Sequence, residues 1–261
     1  MDVVVEARDA RIGRSTAHPD LAEWVGDRPR VVVFTFADLA PPKVLSDWRN
    51  ALDEDVFFVD ARRGGDKEFR GVRGALQKCG RAVNEKRKKK GIAPRSARDA
   101  VVGYPNVGKS ALINRLVKQK VVASARRAGV TRTLRWVRLG QDIDLLDAPG
   151  VLPPRLDDQQ AALHLALCDD IGQAAYDGEL VAQAFLRLLT DLQQQQASGV
   201  ALAVLEGRYG TPLTGVTEDP ALWLQAVAQR HTSADTARMA QRLLDDFRKS
   251  ALGSIALELP A

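Results

Sequence analysis

Gly103-Tyr-Pro-Asn-Val-Gly-Lys-Ser110 is the stretch that decides how this chain folds. It fits the pattern GxxxxGK[ST], whose glycines let the backbone turn tightly enough for successive N–H groups to face an anion. Lys109 is then placed to reach the β- and γ-phosphates of a nucleotide, and Ser110 to offer its hydroxyl to Mg²⁺. Asn106, Val107, Gly108 and Ala111 complete the cradle. The flanks agree: Asp99-Ala-Val-Val102 reads as a short buried strand entering the loop, and Ala111 to Lys118 as the helix whose N-terminus holds the phosphates. The pattern stands in the middle of the chain, and that displacement is as informative as the pattern itself.

The 261 residues suit one large domain or two smaller ones. With 45% hydrophobic and 27% charged residues the composition is that of a soluble globular protein. No apolar run approaches the ~20 residues of a membrane span. The start, MDVVVEARDAR, lacks the basic region, apolar stretch and cleavage site of a signal peptide, so a cytoplasmic protein is expected. Cys79 and Cys168 have no CxxC spacing, which argues against a metal cluster or a disulfide framework. The net charge of +5 is concentrated locally. Lys86-Arg-Lys-Lys-Lys90, with Gly91, Pro94, Arg95 and Arg98 after it, reads as a basic linker over about 84–98. It is either a solvated connection or a nucleic-acid contact.

Up to about residue 155 apolar β-branched runs alternate with amphipathic segments, the rhythm of an α/β domain with a mostly parallel sheet and flanking helices. Strands are expected at Val3–Glu6, Val31–Phe36, Val56–Val59, Ala100–Gly103, Leu134–Leu139 and Ile143–Leu146. Helices fit Pro42–Leu52, Gly71–Arg87 and Ser110–Val117. From about residue 156 to 261 the strands give way to a small all-α domain. Its helices are expected at Asp157–Cys168, Asp177–Gln196, Pro220–Gln229 and Ser233–Ala251, the last with Ser233 as N-cap. Gly207 to Pro212 reads as a break between them.

A phosphate loop that works with Mg²⁺ needs an acidic partner, and Ile143-Asp-Leu-Leu-Asp147-Ala-Pro-Gly150 supplies it at the end of an apolar strand. Asp147 would hold the metal through water, and the Gly150 N–H would meet the γ-phosphate. Between the two motifs, Gly129-Val-Thr131 occupies the place of a switch loop. Thr131 would coordinate Mg²⁺ and the γ-phosphate, with Thr133 second; alternatively both threonines cap the next strand. A guanine reader, Asn-Lys-x-Asp at a strand end, is not found after Gly150. Upstream, Val31-Val-Val-Phe-Thr35-Phe36-Ala37-Asp38 ends a strand as that motif does, and Phe57-Phe-Val-Asp60-Ala61-Arg62 follows as the second base-contacting turn would. The order of motifs is rotated.

A chain so ordered resembles the circularly permuted GTPases, and within them the ribosome biogenesis GTPase A family over almost its whole length. The carrying residues are Glu6 to Ile12, Asp38, GYPNVGKS, Gly129-Val-Thr131, Asp147 to Gly150 and the helical C-terminal part. The resemblance implies a circularly permuted P-loop GTPase domain over 1–155 and a helical, rRNA-binding domain over 156–261. It implies binding and hydrolysis of GTP to GDP with Mg²⁺, and a role on the large ribosomal subunit precursor. At Asn106 it implies a potassium ion bridging the phosphates. A monomer off the ribosome, with no membrane partner, is expected.

Two departures qualify the resemblance. Thr35 and Phe36 stand where Asn and Lys are expected; Thr35 looks too short to reproduce the Asn contacts, and Phe36 could lie against the base. Asp38 remains as the acceptor for guanine N1–H and the 2-amino group, or else caps the helix at Leu39. Val151 and Leu152 stand where many small GTPases place the glutamine that orients water. The resemblance places a catalytic histidine in a segment before the first strand, which is missing either from the natural protein or only from this chain; slow intrinsic hydrolysis stimulated by the ribosomal particle is expected. His18 reads as a surface-loop histidine, His164 as structural in a helix, and His231 as structural near a helix start. The alternatives are a catalytically impaired rRNA-binding module without nucleotide specificity and, last, an ATPase.

Overall fold

The computed structural model describes residues 1–122, 134–153, 158–194, 202–212 and 219–260. Its strands are β1 (Val3–Asp9), β2 (Arg30–Thr35), β3 (Val56–Phe58), β4 (Ala97–Val102), β5 (Arg135–Leu139) and β6 (Ile143–Asp147). Its helices are α1 (Leu21–Val25), α2 (Pro42–Ala51), α3 (Asp66–Lys89), α4 (Lys109–Leu116), α5 (Gln159–Cys168), α6 (Gly178–Gln194), α7 (Ala203–Tyr209), α8 (Pro220–His231) and α9 (Thr236–Arg248). Every strand expected from the β-branched runs is present within three residues at each end.

The strands form one sheet in the order β3-β2-β1-β4-β6-β5, parallel except for β5 at the edge. Counting from β4, the strand that enters the phosphate loop, the order becomes 6-5-4-1-3-2, so β1 to β3 complete a sheet that β4 begins. That is the permutation in three dimensions: the chain was opened elsewhere and the pairings were kept. Alternate side chains of β1 face opposite layers, as the pleat requires. Val3, Val5 and Ala7 join the core with α3 and α4, whereas Val4 packs under Leu21 and Val25 of α1. Ala10, Val32 and Phe34 pack against Val44 and Trp48 of α2. Helices therefore cover both faces, which is why β1 is buried along its whole length.

The helical layer is not a separate ball. α5, α6, α8 and α9 pack on one another, and Phe185 and Phe247 meet with ring centroids 4.8 Å apart. Their buried side chains continue the apolar cluster that begins at Val3. Buried Arg248 closes α5: Nε donates to Leu167 O at 2.9 Å, and Nη2 donates to Ala166 O at 2.7 Å and to Tyr176 Oη at 2.9 Å. Asp246 accepts from Arg208 twice at 2.6 Å and from Tyr209 Oη at 2.7 Å, which fixes α7 to α9.

Several local expectations are corrected. The basic run is not a linker throughout: α3 continues through it to Lys89, because cations in a last turn suit the negative end of the helix dipole. Ser233 is not the N-cap of α9; it and Ala234 have φ of 54° and 66°, and Asp235 caps instead, accepting from Arg238 N at 2.8 Å. Gly207 lies inside α7, and the break falls at Gly210, whose φ of 63° ends the helix. His231 closes α8 rather than opening a helix. His18 is buried, its ring centroid 4.4 Å from that of Trp24 in a tilted pair, because α1 folds over it.

Asp99 of β4 is buried with no hydrogen-bond partner for its carboxylate among the described residues, and burial, with Asp2 and Asp144 nearby, pushes its carboxyl up to about 7 from 3.8. The folded state therefore holds this proton more tightly than the unfolded chain. Stability should be highest below about pH 4 for this group and fall by a few kcal/mol, of order 1.4 per pK unit, as pH rises to about 7. Asp99→Asn should flatten that dependence in urea unfolding measured from pH 4.5 to 7.5. Replacing Arg248 by Leu, which strands the α5 carbonyls, should cost about 2–4 kcal/mol by the same measurement.

Candidate functional site

The site lies at the carboxyl ends of β1, β2, β4 and β6, where an open α/β sheet leaves a crevice. β4 delivers the phosphate loop across the end of β1. Gly103 has a φ of 148°, and a Cβ there would meet Ala7 O at 2.4 Å, so glycine is required by close approach as well as by conformation. Gly108, with φ of 88°, turns the chain into α4. Lys109 is buried at the start of that helix, and its Nζ donates to Gly103 O at 3.1 Å and Tyr104 O at 2.6 Å. Burial lowers its pKa to about 8, with Asp147 and Asp170 opposing the shift. Val107 is fully buried and anchors the loop from beneath.

The acidic partner arrives from β6. Asp147 is buried, and its Oδ2 accepts from Ser110 Oγ at 3.3 Å. A hydroxyl and a carboxylate side by side at a phosphate loop are hard oxygen donors of the kind Mg²⁺ takes. Gly150 passes so close to the loop that a Cβ would lie 2.5 Å from both N and Cα of Pro105, and Val151 N donates to Gly103 O at 3.1 Å. Val151 and Leu152 are exposed apolar side chains that offer nothing to a water molecule. Thr131, like Thr133, lies outside the described residues. Ala111 follows Ser110 in α4.

The segments expected to meet the base follow β2 and β3. Thr35 is buried at the end of β2, and its Oγ1 lies 2.6 Å from Val107 O and 3.0 Å from Arg8 O. The hydroxyl therefore ties the phosphate loop to β1, and the expectation that Thr35 is too short is corrected for this contact. It succeeds because Gly108 brings the loop against it: a Cβ on Gly108 would stand 3.5 Å from Thr35. Phe36 follows in the left-handed region with a φ of 53°, a strained conformation for an aromatic residue. Its ring lies under the guanidinium of Arg11 at 5.2 Å and that of Arg62 at 5.9 Å.

Asp38 is exposed on a single 3₁₀ turn, Ala37–Leu39, and does not cap it; Phe36 occupies the cap position. Burial of part of its carboxyl and the neighbouring Asp60 raise the Asp38 pKa, while Arg62 and Arg11 oppose the rise. Asp60 Oδ1 accepts from Arg62 N at 2.7 Å, and Ala61 lies between them, so Asp60-Ala61-Arg62 forms a turn facing Asp38.

Asp9, Arg11 and Asp170, together with the expected Asn106, complete the arrangement. Asp9 Oδ1 accepts from Arg11 N at 2.8 Å and Nε at 3.0 Å, and Oδ2 lies 2.5 Å from Nη2, locking the turn after β1. Asn106, with φ of 58°, donates from Nδ2 to Asp169 O at 2.7 Å, joining the phosphate loop to the end of α5. Beside it Asp170 is buried, its carboxyl pushed well up by burial and Asp9, against the influence of Arg11 and Lys109. Charged residues within the apolar stretch Val3 to Ile12 were the available signal for Asp9 and Arg11. Nothing local marks Asp170.

Residues 98–207 match the family described as 50S ribosome-binding GTPase. Over its full length the chain is 30% identical to "Ribosome biogenesis GTPase A" of Priestia megaterium, of which it covers 90%. The chain belongs to the ribosome biogenesis GTPase A family. It is 29% identical to the protein of the same name from Bacillus pumilus, covering 100% of this chain and 91% of that one. Among solved structures, GNP-bound YlqF from T. maritima shares the fold with a TM-score of 0.61 at 18% identity, covering 99% of this chain and 93% of that one. A GDP-bound YlqF gives 0.63 at 19%, covering 99% and 95%. The protein is thus a P-loop GTPase with a circularly permuted fold, and such a nucleotide site normally uses Mg²⁺.

Two outcomes follow from this geometry. Thr35→Val, which leaves Val107 O and Arg8 O without the hydroxyl, should weaken GDP binding about tenfold, while Thr35→Ser stays within about twofold, by fluorescent-GDP titration. If Lys109 meets the phosphates in its protonated form, as expected, GDP affinity should decline as pH rises through about 8, approaching tenfold per pH unit in the same titration.

Proposed function

We propose that this protein is an assembly factor for the large ribosomal subunit, binding the particle in its GTP state and leaving it after hydrolysis. The observation that carries the nucleotide half is the meeting of Lys109, Ser110 and Asp147 beneath a loop crossed by Gly150. Ser110 and Asp147, with Thr131, would hold Mg²⁺, which neutralises developing charge on the phosphates when bound. Lys109 serves the same electrostatic end from the protein side. The Gly150 N–H and Thr131 would read the γ-phosphate, Asp38 the guanine edge, and the Asp60-Ala61-Arg62 turn the far side of the base. The Asn106 side chain, with Nδ2 engaged at Asp169, has Oδ1 for a potassium ion, our reading of that residue. Apolar Val151 and Leu152 support slow intrinsic hydrolysis that a ribosomal partner accelerates.

The ribosomal half rests on what the relatives are named and on charge. Lys86 to Lys89 end α3 in a cluster of cations with Lys90 as its cap, and Arg98 of β4 stands over exposed Trp136 of edge strand β5, 5.9 Å from its ring. Cations with an exposed aromatic suit RNA, phosphates pairing with the former and an unstacked base with the latter. The helical part from about residue 156 onward is our second candidate for rRNA contact. The described helices include none long and apolar enough to cross a membrane. We read the protein as cytoplasmic and monomeric off the ribosome.

The departure at Thr35 and Phe36 favours a second reading, an impaired rRNA-binding module. Titration with fluorescent GDP, GTP and ATP analogues decides between them: micromolar, guanine-selective binding is expected, and no binding at all leaves the module. Asp38→Asn should lower GDP affinity at least about tenfold and raise that for xanthosine diphosphate, whose 2-oxo group accepts from an amide. Affinity for ribosomal particles should fall linearly with the logarithm of salt, and a flat response contradicts phosphate-dominated binding.

A further inference from the structure

After α9 the chain leaves the helical layer and returns across the end of the sheet. Ser254 Oγ donates to Asp38 O at 3.3 Å, and Ile255 N donates to Leu39 O at 3.0 Å. Two residues on, Leu257 N donates to Arg11 O at 2.8 Å. Ala256 is fully buried between these contacts, among Ala10, Phe34, Ala40 and Trp48. The strap is then pinned at Glu258. Its carboxylate accepts from Arg14 N at 2.7 Å, from Ser15 N at 3.0 Å and from the Ser15 hydroxyl, and lies 2.9 Å from His164 Nδ1 on α5.

The turn held in this way is the one that carries Asp38. Asp38 lies on the exposed side of the turn, so where its carboxylate stands is set by the backbone beneath it. That backbone begins with Phe36 in a strained conformation, which persists only if its surroundings over-determine it. Ala37 N donates to Val59 O at 3.3 Å on one side, and the strap takes the carbonyls of Asp38 and Leu39 on the other. The same strap holds Arg11, whose guanidinium covers Phe36.

We propose that Ser254 to Glu258 form a positioning strap for base recognition, through which the helical layer and the guanine end of the nucleotide are coupled. The proposal rests on the reading of Asp38 as the guanine acceptor. Coupling is reciprocal: if a seated strap raises affinity for the base, the bound base tightens the strap, and a partner that pulls on the helical layer loosens the base. Ser254, Ile255 and Glu258 are positioning residues that act through the Asp38 turn.

Hydrogen exchange on the full chain tests this. GDP with Mg²⁺ should slow exchange at the Ile255 and Leu257 amides about fivefold or more, whereas Mg²⁺-pyrophosphate, which has no base, should protect the phosphate loop and leave both amides unchanged. Loop protection by GDP without any effect at Ile255 and Leu257 overturns the strap while leaving the nucleotide site intact. Protection at neither place overturns both. In the second arm, Glu258→Gln and the milder Ser254→Ala are compared for GDP, for inosine diphosphate, which lacks the 2-amino group that Asp38 accepts, and for pyrophosphate. The strap predicts a preference for GDP over inosine diphosphate that falls several-fold in Glu258→Gln, with pyrophosphate affinity unchanged and a smaller shift in Ser254→Ala. Equal weakening of all three ligands assigns Glu258 to general stability and overturns the proposal.

Discussion

Everything at the nucleotide site depends on how closely the phosphate loop crosses its neighbours. At Gly103 the loop meets the Ala7 carbonyl, at Gly150 the chain presses on Pro105, and at Gly108 it lies against Thr35. None of the three contacts leaves room for a side chain on the glycine without displacement of its neighbour or backbone strain. The gain is that segments far apart in sequence present N–H groups and carboxylates to one small volume. A single hydroxyl, that of Thr35, then joins β1, β2 and the loop. Threonine at this position is long enough to tether the loop.

Burial makes the charges in that volume responsive to one another. Lys109 is depressed toward neutrality by desolvation, and Asp147 and Asp170 hold it short of that. Asp9 and Arg11 neutralise each other within one turn of chain. An arrangement of this kind is poised for an incoming polyphosphate with its metal, because the groups that repel and attract it are already desolvated and fixed. Asp38 stands apart: it is exposed, reached by Asp60 on one side and by Arg62 and Arg11 on the other.

The helical layer enters the site at two places. Asn106 reaches the carbonyl of Asp169 at the end of α5, and buried Arg248 of α9 closes the carbonyls just before it. The C-terminal segment meets the turns after β1 and β2. Both ends of a bound nucleotide, phosphate and base, would thus be backed by residues from the last hundred of the chain. One apolar cluster takes members from both sides of residue 155, from Val3 to Leu257.

The sequence by itself determined the phosphate loop, the six strands, the acidic partner Asp147 and the permuted order. Each is written in local spacing: glycines with a lysine and serine, β-branched runs, an apolar strand ending in Asp-x-x-Gly. Helix ends were less legible, since a basic run such as Lys86 to Lys90 serves equally as linker or last turn, and Ser233 and Asp235 compete for one cap. Only the tertiary structure decided that Thr35 tethers the loop, that buried Asp170 acts electrostatically on Lys109 and that residues 254 and 255 hold the Asp38 turn. Those facts depend on contacts between segments tens to hundreds of residues apart, and no periodicity or spacing encodes a contact whose partners are brought together only by the closing of the sheet.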